Sequence, residues 1–146
     1  MPQLTFSEVF NTPADTLWGL IKDFGNLEAW WLKDNPIKID RVVQEGQGVG
    51  MIRHIYYVGM PTPLSERLDY MDDNSRTYKL SIVGEGVPGL ISYTAEGVIT
   101  ALGAGSCRFD YTAEIQATAE KEATVEQTLR FGFSQVIAGL RGATEG

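Results

Sequence analysis

From Ile37 to Ala117 the chain passes through six strand-like segments with no helical period among them, and one long amphipathic stretch follows. That order leaves few folds open. Consecutive strands joined by short turns pair as an antiparallel meander, and a meander with one apolar face must have that face covered. The cover on offer is the last segment, from about Glu120 to Arg141. There Val125, Leu129, Phe133, Val136, Ile137 and Leu140 fall on one stripe of a helix. Some twenty residues rising about 1.5 Å each make a rod about 30 Å long, the width of a broad sheet.

The segments expected as strands are Ile37–Gln44, Val49–Val58, Leu64–Met71, Thr77–Val83, Leu90–Ala101 and Ser106–Ala117, separated by turn-forming residues. Tyr78, Leu80 and Ile82 share a face by parity. So do Ile91, Tyr93, Ala95 and Ile99, and likewise Phe109, Tyr111, Ala113 and Ile115. Ahead of them, Gln3–Asn11 reads as a first strand with Leu4, Phe6 and Phe10 on one side. "TPAD" then announces a helix, with Thr12 as N-cap and Pro13 at the first helical position. Leu17, Trp18, Ile21 and Phe24 follow at helical spacing up to Gly25, and "NLEAWW" has room for a second, short helix. The expected layout is β-α-α-β6-α, an α+β architecture in which a curved antiparallel seven-stranded sheet wraps around a long C-terminal helix.

A chain of 146 residues is expected to form a single domain, residues 1–146, with a core that needs no staples. One cysteine excludes an internal disulfide and a thiolate metal cage. Together with the lack of a signal-like segment, this points to a reducing, cytoplasmic setting. No stretch approaches the roughly 20 apolar residues of a membrane span. A net charge of −7 argues against nucleic acid or an anionic membrane as partner.

One residue does not fit the alternation. In "PTPLSERLDYMDD", parity puts Leu64, Leu68 and Tyr70 on the covered face, and Glu66 sits among them. A carboxylate aimed into a core costs several kcal/mol unless it is paired or solvated. Turning Arg53 inward with Met51, Ile55 and Tyr57 supplies a partner, and Tyr93 lies on the same face. Such a pair either lines a ligand cavity or serves to fix strand register.

The element order and the segments "WGLIKDFGNLEAWW", "GVGMIRHI", "SERLDYMDD" and "TYKLSIVGEG" resemble the START/Bet v 1-like (SRPBCC) superfamily. The likeness is to its polyketide cyclase/dehydrase and lipid-transport branch, which also holds the plant abscisic-acid receptors and lachrymatory-factor synthase. The resemblance covers essentially the whole chain. It implies a helix-grip fold with a cavity between sheet and long helix for a mostly apolar small molecule. It also implies that Arg53, Glu66 and Tyr93 project into that cavity, as the matching residues do in the branch. In lachrymatory-factor synthase those positions are taken as catalytic, and in the receptors they help hold a ligand through water. "VGMPTP" lies where the receptors carry a gate loop, and "GEGVPG" where they carry a latch. The His-Arg-Leu of that latch is missing here, where the chain has Val87, Pro88, Gly89 and Leu90, so hormone reception is not carried over.

Other signals have plainer readings. "GQGVG" joins strand to strand with no helix to cap a phosphate, so it is no dinucleotide fingerprint. His54, the only histidine, alternates onto the outer face without partners for a metal, and no metal site is expected. Cys107 shares the inner face with Phe109 and reads as a small core residue. Trp18 and Trp30 read as core, with Trp31 at the cavity rim or exposed.

The leading expectation is binding or carriage of a hydrophobic or aromatic small molecule. The expected lining is Arg53, Ile55, Tyr57, Met60, Glu66, Leu68, Tyr70, Tyr78, Leu80, Tyr93, Phe109, Tyr111, Leu129, Phe133 and Ile137. The alternative is a cofactor-independent cyclase, dehydratase or isomerase acting on a small carbonyl or polyketide-like substrate. In it Glu66 moves a proton, Arg53 stabilises an oxyanion and Tyr93 donates or relays. Neither reading calls for a cofactor.

Overall fold

The structure is a computed structural model that describes residues 3–84 and 86–145. Seven strands alternate with little else: β1 (Gln3–Phe10), β2 (Ile39–Glu45), β3 (Ile52–Tyr57), β4 (Leu64–Asp72), β5 (Thr77–Val83), β6 (Leu90–Gly103) and β7 (Ser106–Ala117). Two α-helices, α1 (Ala14–Lys22) and α2 (Glu122–Thr144), complete the fold with two single 3-10 turns, Leu27–Ala29 and Ala119–Lys121. All strands join one antiparallel sheet in the order β1-β7-β6-β5-β4-β3-β2. First and last strands are therefore neighbours. The chain crosses from one edge of the sheet to the other through α1 and the first 3-10 turn.

Helix α2 lies along the covered face. Near its C-terminal end Leu140 is fully buried, as are Leu17 of α1, Phe10 of β1, Ile99 of β6 and Phe109 of β7. Arg141 fastens this end to the edge strand. It donates to the Val9 carbonyl (2.9 Å) and to Glu8 (2.9 Å), and its guanidinium lies 4.6 Å from the Phe10 ring centre. The helix comes so close to the first crossover that a Cβ on Gly139 would stand 2.7 Å from the Trp30 carbonyl oxygen. Only a glycine permits that approach.

Several boundaries differ from the expectation. Thr12 makes no capping bond; it is buried, and Pro13 leads into α1. Phe24 lies beyond the end of α1 at Lys22, and the second short helix is a single 3-10 turn. Strand β2 begins at Ile39 and β3 at Ile52, both later than parity suggested; ahead of β3, Gly46, Gly48 and Gly50 all take positive φ, which extended strand does not allow.

Two β-bulges break the parity reading. In β4, Leu68 faces Leu80 but Tyr70 faces Lys79, so Asp69 is an extra residue. Tyr70, expected on the covered face, is thereby turned outward and exposed, with the Lys79 ammonium over its ring. Met71 takes the inner place beside Tyr78 instead. In β6 the extra residue falls between Leu90 and Ser92, and Ile91, expected inside, is exposed.

Candidate functional site

Where α2 does not press on the sheet, the fold encloses a cavity of about 460 Å³. Its floor is the concave face of β3, β4, β5 and β6, with Ile55, Leu64, Leu80 and Ile82 among its apolar residues. Leu129, Phe133 and Val136 of α2 form the roof. Phe133 is held in place by stacking on Tyr111 (4.3 Å between ring centres) and on Phe6 (4.4 Å). The rim comes from loops: Met60, Thr62 and Pro63 between β3 and β4, and Gly86, Val87 and Pro88 between β5 and β6. The expected gate and latch segments thus flank the mouth, except that Glu85 of the latch lies outside the described residues.

At the buried end stands one ion pair. Arg53 on β3 and Glu66 on β4 are register partners, which brings their side chains together on the inner face. The Arg53 Nε–H donates to Glu66 Oε1 at 2.8 Å, and Nη2 lies 2.8 Å from the same oxygen. Nη1 donates to the Phe24 carbonyl at 3.0 Å, and the guanidinium carbon lies over the Phe24 ring, 3.9 Å from its centre. Each side chain keeps only 13% of its surface exposed. Arg53 is thus committed to holding Glu66, while Glu66 Oε2 accepts no hydrogen bond among the described residues. Nor is that oxygen sealed away: the buried, unpartnered side-chain atoms among the described residues belong to Trp30, Asn35 and Thr118. Oε2 therefore opens into the cavity that Glu66 lines.

Around the pair stand four phenols. Tyr93 and Tyr111 share a hydrogen bond of 2.6 Å, while Tyr57 and Tyr78 line the cavity with no hydroxyl partner among the described residues. Burial raises the pKa of all four well above the ordinary value, and the Glu66 charge pushes each further up. Near neutral pH they are uncharged, able to donate a hydrogen bond and not to act as phenolates.

Of the residues expected to line a cavity, Arg53, Ile55, Tyr57, Met60, Glu66, Tyr78, Leu80, Tyr93, Tyr111, Leu129 and Phe133 meet here. Four do not. Tyr70 points out because of the bulge. Leu68 and Ile137 are on the right faces but are packed into the core. Phe109 borders a second, much smaller cavity of about 30 Å³, which shares Arg53, Tyr78 and Val136 with the first.

Sequence reasoning had no means to find Leu27, Pro36, Ile37 or Val58, which reach the cavity from the crossover and from strand ends. Trp31 does reach it, with Nε1 donating to the Ile37 carbonyl at 2.8 Å. On the opposite face, His54 lies between Ser65 (2.7 Å) and Glu45 (2.9 Å) and lines neither of these two cavities. Burial raises the Cys107 thiol, which leaves it a poor nucleophile. No group of three or more metal-ligating side chains occurs among the described residues, and no helix is long and apolar enough to cross a membrane.

A long helix gripped by an antiparallel sheet, with a cavity between them, defines the class: a helix-grip protein of the START/Bet v 1-like superfamily. More narrowly, the chain belongs to the polyketide cyclase / dehydrase and lipid transport family, whose model matches residues 1–142. Among solved structures it is similar to protein XoxI from Bacillus cereus, with a TM-score of 0.81, 19% identity, and 99% of this chain and 96% of that one covered. It is similar to norcoclaurine synthase from Thalictrum flavum, solved in complex with dopamine and hydroxybenzaldehyde, with a TM-score of 0.77, 18% identity, and 97% and 85% covered. The di-domain ARO/CYC BexL matches with a TM-score of 0.79 at 14% identity, over 97% of this chain but 46% of that one. At these identities the structural matches establish the fold.

Proposed function

We propose that the protein binds a mostly apolar, aromatic-sized small molecule in the cavity between sheet and α2. The observation that carries this reading is the cavity itself. Its volume, about 460 Å³, falls in the range of small-molecule sites, and its lining is apolar apart from a few convergent polar groups. A core built only for stability would fill such a space, because packing in protein interiors leaves few voids larger than a water molecule. Leu129, Phe133 and Ile55 supply contact area, and Glu66 with the phenols orients a polar end. Titration with the fluorescent neutral probe N-phenylnaphthylamine, with native mass spectrometry for stoichiometry, tests the reading. Saturable binding of one probe per chain is expected. Absence of saturable binding by this probe and by every other apolar compound tried would overturn it.

A second reading is favoured by one specific observation, the unengaged Oε2 of Glu66 facing neutral phenols. That arrangement is able to move a proton: Glu66 accepts one from a substrate carbon or hydroxyl, and Tyr57, Tyr78 or Tyr93 donates to a carbonyl oxygen as charge develops there. Arg53, tied to Oε1 and to Phe24, positions the carboxylate more than it stabilises an oxyanion. The description of the family, polyketide cyclase / dehydrase and lipid transport, supports a reading with turnover as well as one with binding alone. Product formation from small aromatic carbonyl compounds, lost in Glu66→Gln, is the expected sign of turnover. Turnover that survives replacement of Arg53, Glu66 and Tyr93 together would eliminate this mechanism.

A further inference from the structure

Resting on the cavity reading above, we infer that the buried end of the cavity selects an uncharged hydrogen-bond donor, an alcohol or phenol, and rejects a carboxylate. A lone arginine among apolar residues ordinarily suggests an anionic ligand. The geometry here points the other way. Both guanidinium contacts to Glu66 converge on Oε1, a third N–H goes to the Phe24 carbonyl, and the Phe24 ring covers one guanidinium face. The positive charge is already matched and its planar fork is turned aside.

What faces the cavity is the second carboxylate oxygen, an acceptor with no donor among the described residues. A ligand hydroxyl placed on Oε2 would make a charge-assisted hydrogen bond in a site sheltered from water. A ligand carboxylate at the same place would set two negative charges side by side, and the four phenols, uncharged near neutral pH, bring no positive charge to offset them. The other cation lining the cavity among the described residues, Lys38, donates its ammonium to the Lys33 carbonyl. The described residues thus leave the buried end without a free positive partner.

The test is displacement of N-phenylnaphthylamine by three compounds that share one apolar body: naphthalene, naphthol and naphthoate, at neutral pH. Naphthol is expected to displace the probe about tenfold better than naphthalene, the worth of one hydrogen bond to a charged group. Naphthoate is expected to do no better than naphthalene. In Glu66→Gln, which keeps an oxygen for Arg53 but turns an amide N–H to the cavity, the ratio of naphthol to naphthalene affinity should fall from about ten toward one. Naphthalene binding reports that the variant cavity is intact, and the wild-type series stands alone if the variant does not fold. Naphthoate binding as tightly as naphthol, or all three binding alike, would overturn the inference and leave the cavity reading standing. Failure of the probe and of every other apolar compound tried to bind would remove the cavity reading, and this inference with it.

Discussion

Helix α2 does two different jobs along its length. From Gly139 to Arg141 it is pressed onto the crossover and the β1 edge, with Leu140 fully buried and no room for a Cβ at Gly139. From Thr128 to Val136 the same helix roofs a cavity and meets the sheet through Phe133, which stacks on Tyr111 and Phe6. The sheet beneath is continuous, so the difference lies in what else reaches its concave face. At the packed end α1 adds the buried side chains of Leu17, Trp18 and Ile21. At the open end α1 supplies no lining residue, and an ion pair with four phenols lies on the sheet face. Burial is therefore used for stability at one end. At the other it sets the charge state of polar groups.

The strongest way to separate the two ends is alkali. Tyr57, Tyr78, Tyr93 and Tyr111 all hold their protons above the ordinary value of 10.0, chiefly because of burial. Below pH 10 both folded and unfolded chains keep those protons. Above it the unfolded chain releases them and the folded one does not, so stability falls as pH rises. Phenolate absorbance and loss of secondary structure should rise together well above pH 10. Ionisation of these tyrosines at their ordinary pH in the folded protein would mean that the open end is wetter than its geometry implies.

Next in size is the ion pair. Arg53→Met leaves the Glu66 carboxylate without its partner and should cost about 3–5 kcal/mol in urea unfolding. Arg53→Met with Glu66→Met should recover most of that loss, since a well-packed apolar replacement of both partners is often neutral. Equal losses in the single and double variants would show that the two side chains are not coupled.

At the packed end, Leu140→Ala should cost about 3 kcal/mol and leave probe affinity unchanged. The smallest stability effect is expected from Leu129→Ala, about 1 kcal/mol or less, because its side chain is only half-buried over open space. Its probe affinity should nevertheless change clearly. An affinity change in Leu140→Ala, or none in Leu129→Ala, would erase the distinction between the two halves of the helix.

Much of this was legible beforehand, for definable reasons. A period of two puts side chains on alternate faces, so Glu66, Tyr93, Tyr78 and Tyr111 could be placed inside from spacing alone. The stripe on α2 identified Leu129 and Phe133 in the same way. Parity failed at Tyr70 and Ile91, where one inserted residue reverses every assignment until the strand resumes. Nothing in "LDYM" or "LISY" marks such an insertion, because a bulge is a property of the partner strand's register. The register pairing of Arg53 with Glu66 was legible only as an expectation of neighbours. That Arg53 spends its donors on one oxygen and on Phe24 was not.

The sequence by itself determined the order of elements, the covered face and the presence of a carboxylate on it that needs a partner. These follow from local periodicities and from the cost of burying an unpaired carboxylate. Only the tertiary structure decided that the covered face would stay partly unfilled. A cavity is the difference between the volume the sheet and helix enclose and the volume their side chains occupy. That difference depends on how closely α2 approaches, set here by Gly139 against Trp30 at one end and Phe133 between Phe6 and Tyr111 near the middle. It depends also on loops such as those carrying Leu27, Pro36 and Val87, whose positions no local spacing encodes.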